Sequence, residues 1–169
     1  MPMVFVPEKA YRRLLKLAEE KGAAGVEDLI PSMAADDMGS REAAEACWEA
    51  SQRLAEAAEG ELAKGCLRQA SEKIWGSAAL AVKAVAVALE GRRLASHGEL
   101  WSYVDELSVK LGRPELMRLW QMANSMHVNF YEGWATRRHI EEALRGLKEL
   151  LDMLKEVVSA LLDREEHDV

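Results

Sequence analysis

Two cysteines in 169 residues, Cys47 and Cys66, exclude a disulfide framework and, with no second pair at ligand spacing, a cysteine-ligated zinc site. Both are expected as reduced, largely buried thiols, since free cysteine packs as a small hydrophobe. Histidine is scarce as well. The four in the chain never stand at i+3 or i+4 from one another and no Glu-x-x-His motif occurs, so neither a di-iron-type bundle site nor any metal or cofactor is implied. Gly-rich phosphate loops and nucleophile elbows are missing. The N-terminus lacks a cationic start followed by an apolar run of about 7 to 15 residues and a small-residue cleavage site. No apolar run approaches the roughly 20 residues that cross a bilayer. A cytoplasmic protein without membrane contact is therefore expected. Positive charge is in deficit too: a net charge of -7 and a pI near 5.2 make the whole surface repel phosphate backbones, so nucleic-acid contact requires a local basic patch.

What is present is the material of one helical domain. Hydrophobic residues are 49% and charged residues 30% of the chain, a balance that folds rather than stays disordered. Residues 69–89, QASEKIWGSAALAVKAVAVAL, organise the rest. From Trp75 onward this stretch has only Ser77 and Lys83 as polar side chains, and a helix apolar nearly all round must be enclosed by others. It is the expected central helix of a bundle.

Around it the 3.6-residue rhythm predicts further helices. Residues 3–6 form a short β-prone run, followed by helices at 8–21 and about 26–38, with Pro31 disturbing the middle of the second. This strand-helix-helix order resembles a ribbon-helix-helix arm, although residues 3–6 offer no Arg, Lys, Asn or Gln to a base edge; a helical hairpin packed on the bundle is the other reading. Bundle helices are expected at about 40–63, 66–90, 98–111, 114–132 and from Thr136 onward, the last with a 4-3 repeat of Ile140, Leu144, Leu147, Leu151, Leu154, Val158 and Leu161. Short connections favour antiparallel neighbours. The fold class is all-α: a five-helix up-and-down bundle over 40–162, a small N-terminal arm over 1–39 and a frayed tail over 163–169. The tryptophans, Trp48, Trp75, Trp101, Trp120 and Trp134, fall one to each bundle helix or its lead-in and are expected in core packing.

A few polar residues stand out against this apolar frame. Lys83 lies mid-helix on a stripe with Gln69, Lys73 and Gly76; it either reaches the bundle edge, pairs with a glutamate such as Glu132, or frames a polar groove with Lys73. On the fourth bundle helix Asn124, His127 and Tyr131 form a polar line with Asn129 beside it, a satisfied hydrogen-bond network or a site for a base or phosphate. Arginine pairs at 12–13, 92–93 and 137–138 would make a local anion site if two converged.

The segment LAKGCLRQASEKIWGSAALAVKA at 62–84, His97 opening a helix, and MHVNFYEGW at 126–134 resemble the PaREP family of archaeal helical proteins, which is similar to the HEPN group named for nucleotide binding. The resemblance spans about 41–162. It implies an HEPN-like bundle, homodimerisation and a nucleotide, RNA or protein partner. HEPN ribonucleases use arginine followed after four to six residues by histidine at the start of the last helix; here Asn129 stands at the arginine's place and no histidine occurs at that distance. Arg92 and His97 have the spacing, but in the loop before the third bundle helix. The leading expectation is thus a non-catalytic, dimeric HEPN-like binding protein. Its candidate ligand residues are Gln69, Lys73, Lys83, His97, His127, Asn129 and Tyr131, in a groove between the central and fourth bundle helices. The alternatives are a metal-independent ribonuclease using His97 or His127, and a DNA-binding regulator acting through the arm.

Overall fold

The computed structural model describes residues 3–23 and 25–167. Among the described residues seven helices run in order: α1 Glu8–Glu20, α2 Val26–Ala35, α3 Ser40–Ala63, α4 Leu67–Glu90, α5 His97–Leu111, α6 Glu115–Glu132 and α7 Arg137–His167. No strand occurs among the described residues, and residues 3–6 have no regular secondary structure, with Met3, Val4 and Phe5 exposed. The last two residues of the expected tail, 168 and 169, lie outside the described set, as do residues 1 and 2 of the arm.

Helix α4 is the spine that its composition predicts. Every residue from 74 to 82 is buried, and α2, α3, α5, α6 and α7 all pack on it. Small buried residues line the α3–α4 seam, among them Ala43, Ala44, Ser51, Ser77 and Ala84. Ser51 and Ser77 each donate a hydroxyl to the other's carbonyl, at 2.7 and 2.8 Å, so two buried polar groups are satisfied within the apolar contact. The main core joins Ile74, Trp75, Val82, Leu107, Trp120, Ile140 and Leu147, and a second cluster joins α3 and α4 to Ala35 at the end of α2. None of the helices, among the described residues, is long and apolar enough to cross a membrane.

Local departures from the sequence expectation have local causes. Helix α2 runs through Pro31 and stops at Ala35 rather than near Met38, closed by i+3 turns at Asp36, Asp37 and Met38. Cys47 is buried as expected, and burial pushes its thiol up to about 11, but Cys66 is exposed in the turn ahead of α4. Trp75 and Trp120 are fully buried, whereas Trp134 is half exposed because it lies in the link between α6 and α7. The arginine pairs do not form a shared anion site. Arg12 and Arg13 bind Glu8 and Glu20, Arg92 binds Glu106, Arg93 donates to the carbonyls of Ala35 and Met38, and Arg137 donates to that of Leu62.

Candidate functional site

The stripe of α4 that carries Gln69, Lys73 and Lys83 is the seat of the N-terminal arm. Lys73 Nζ meets Glu27 Oε2 at 2.5 Å, and Lys83 Nζ donates to Ser32 Oγ at 3.1 Å with Asp28 Oδ1 at 3.9 Å. The carboxylate partner of Lys83 is therefore Asp28 of α2 rather than Glu132. Asp28 is 1% exposed, so this cation sits where an unpaired ammonium or carboxylate would be costly. Both lysines hold the arm down.

The turn between α1 and α2 closes on two further side chains. Gly22 has φ +67, and a Cβ there would fall 2.8 Å from His97 Nδ1; a Cβ on Gly25 would fall 2.8 Å from Glu72 Oε1. Only glycine supplies both the left-handed backbone and the absent methyl at Gly22. His97 itself is fixed by a capping box at the start of α5: Ser96 Oγ accepts from the Glu99 amide at 3.2 Å and Glu99 Oε2 accepts from the Ser96 amide at 2.9 Å.

Under this roof His97 and His127 come together from α5 and α6, ring centroids 4.9 Å apart, each against Trp75 at 5.3 and 5.0 Å. Tyr131 stands edge-on to His127 at 5.4 Å and reaches solvent. Trp75 Nε1, His97 Nε2 and His127 Nδ1 have no hydrogen-bond partner among the described residues. Burial, then the neighbouring His97, pushes His127 down to about 4. Burial and the Lys83 charge lower His97 as well, with Asp28 opposing. Both imidazoles are thus neutral at a pH of about 7.

Asn129 is wholly buried and occupied. Its Nδ2 donates to Ser71 Oγ at 2.7 Å, and its Oδ1 accepts from the Ala135 amide at 2.6 Å, joining α4, α6 and the lead-in to α7. Gln69 is exposed at the rim. Two cavities open between the arm and the α4–α6 face. One, of about 300 Å³, is lined by Tyr11, Leu15, Glu27, Gln69, Glu72, Lys73 and Phe130; the other, of about 150 Å³, adds Glu19 and Tyr131. They share Leu15, Gly25, Glu72 and Phe130, so Glu72 stands at the centre of one cleft.

Glu72 is the residue that sequence reasoning passed over. No described group donates a hydrogen bond to it, and burial pushes its carboxyl up to about 7, against the pull of Lys73 and with the help of Glu27 and Asp28. A folded value above the unfolded 4.5 means that its contribution to stability is present below about pH 4.5 and is lost as pH rises through about 7. His127 acts in the opposite sense: its contribution is present above about pH 6.5 and lost as pH falls through about 4. The signal for Glu72 was available. It lies three and four residues before Trp75 and Gly76, on the same face of a helix that is otherwise enclosed.

The two stretches ASEKIWG and HVNFYE face each other here, through Ser71 with Asn129 and Trp75 with His127. A family model described as the archaeal PaREP1/PaREP8 family matches residues 41–151. The crystal structure of a protein from Sulfolobus solfataricus superposes with a TM-score of 0.56 at 23% identity, covering 64% of this chain and 95% of that one, a likeness of fold. No curated protein matches the chain.

Proposed function

Because the chain belongs to the archaeal PaREP1/PaREP8 family, we propose that it is a non-catalytic binding protein: an HEPN-like five-helix up-and-down bundle, α3 to α7, that pairs as a homodimer and takes a nucleotide, RNA or protein partner in the cleft between the α4–α6 face and the arm. The observation that carries this reading is Glu72. A half-buried carboxyl without a hydrogen-bond donor weakens the fold above about pH 7, and such groups concentrate where a protein binds or reacts. In this reading the groove expected between the central and fourth bundle helices is this cleft, with the arm as its roof. Lys83 and Asn129 support it from behind, while Gln69, Glu72, Tyr131 and the Glu27-bound Lys73 face it.

A ribonuclease reading draws on the proximity of His97 and His127. Such a reaction needs one protonated and one neutral group, and both imidazoles are pushed toward neutrality, with no arginine among the described residues bonded to either. Arg92, which has the spacing to His97, is instead turned to Glu106 at 2.8 Å.

A thermal-shift screen of nucleotides, short RNAs and lysine-bearing peptides tests the binding role. At a hundredfold excess over Kd a true ligand adds about 2.7 kcal/mol, and the shift should shrink in Phe130→Ser. No shift from any class would remove the binding role, and cleavage of the RNA lost in His127→Ala would replace it with the catalytic one.

A further inference from the structure

The lining of the cleft has a sign. Glu19, Glu27 and Glu72 contribute three carboxylates, and the one lysine among the lining residues, Lys73, is already held by Glu27 at 2.5 Å. Of the partner classes proposed for this cleft, one that brings a phosphate would meet repulsion and no unpaired cation in the lining, so the lining favours a partner that brings positive charge. A positive group would meet the opposite: Glu72, to which no described residue donates a hydrogen bond, at the wall common to both cavities.

The rest of the lining suits the body of such a ligand. Phe130 and Tyr131 stand edge to face, 5.0 Å between centroids, with Leu15 of α1 across the cleft from them. Aromatic faces attract ammonium groups, and methylene chains pack on aromatic and aliphatic walls. Volumes of about 300 and about 150 Å³ are at the small end of ligand pockets, too small for a folded segment and suited to one side chain or a small molecule.

We infer that the cleft takes an alkylammonium group, its charge at Glu72 and its chain against Phe130 and Leu15. This rests on the cleft being the binding site. The same chemistry is offered by a free diamine and by a lysine side chain of a protein partner, and the two differ at the far end of the carbon chain, an amine in one and a peptide backbone in the other.

Calorimetric titration of the full chain at pH 8 with 1,4-diaminobutane, with Nα-acetyl-lysine amide and with AMP separates the outcomes. Binding of either amine, weakened about tenfold or more in Glu72→Gln, is the expected result; the diamine alone points to a free ligand and the lysine amide alone to a protein. Glu72→Gln should remain folded, with a thermal midpoint at pH 8 no lower than that of the wild type, since the substitution removes the carboxylate that burial disfavours. Amine binding that is unchanged in Glu72→Gln overturns the inference, as does the absence of amine binding. If AMP binds instead and Phe130→Ala abolishes it, the ammonium class falls and the cleft stands. If none of the three binds, both fall.

Discussion

Lys83→Met is expected to release the N-terminal arm. The substitution keeps an unbranched side chain one atom shorter that can still pack on α4, but it removes the cation 3.9 Å from Asp28 and the donor to Ser32. Breaking a buried pair by removing one partner costs about 3 to 5 kcal/mol when the other charge must stay buried. Here it need not stay buried, because α2 can lift away and let water reach Asp28. The loss is therefore capped by the free energy with which the arm docks, and about 2 to 3 kcal/mol is expected. Hydrogen exchange should accelerate across residues 8–35 while α4 and α7 keep their protection. Adding Asp28→Asn to Lys83→Met should recover part of the loss. Full protection of the arm in Lys83→Met would show that the pair does not hold it.

Asn129→Ala should cost about as much but in a different place. It leaves the buried Ala135 amide without its acceptor and removes the donor to Ser71. Each orphaned buried polar group costs about 1 to 3 kcal/mol, so a total near 3 kcal/mol is expected, or roughly 6 to 12 °C in the thermal midpoint for a chain of this size. The slackening should spread through α4, α6 and the start of α7 rather than through the arm. Retention of the wild-type midpoint would return Asn129 to the surface of the binding site and remove it from the scaffold.

These two residues also show how far the sequence could be read. The period of apolar residues is a local property, so the seven helices and the enclosure of α4 were legible; so was the polar stripe with Lys73 and Lys83. The partners were not. Glu27, Asp28 and Ser32 are separated from those lysines by 46 to 55 positions, and nothing local says which side chain faces which. His97 and His127 were each visible as unusual, but their contact depends on the crossing of α5 and α6 over Trp75. Glu72 was missed for another reason. An expectation of a phosphate-bearing partner directs attention to lysine and histidine, and a glutamate on a helix reads by default as solvent-facing. The turn glycines gave no hint either, since a helix stop and a close backbone approach both ask for Gly.

The structure thus gives the arm two tasks that composition did not separate. It is packed against α3 and α4, and its turn forms the roof over His97 and Glu72. The lysines that suggested an anion site are taken up by the first task, and the cleft keeps Glu19 and Glu72 beside the aromatic rings of Phe130 and Tyr131.

Glu72 is the point at which fold and function meet, and its titration is the most direct test. Carbon-13 NMR of the glutamate side chains, assigned through Glu72→Gln, reads its midpoint in the free protein and again with saturating 1,4-diaminobutane. A midpoint near 7 is expected in the free protein, because burial beneath the turn, helped by Glu27 and Asp28 of α2, outweighs the pull of Lys73 of α4, with a fall of about one unit or more when the ammonium group binds. A midpoint in the ordinary carboxylate range, about 4.3, that the amine does not move would contradict the assignment of Glu72 as the ammonium site.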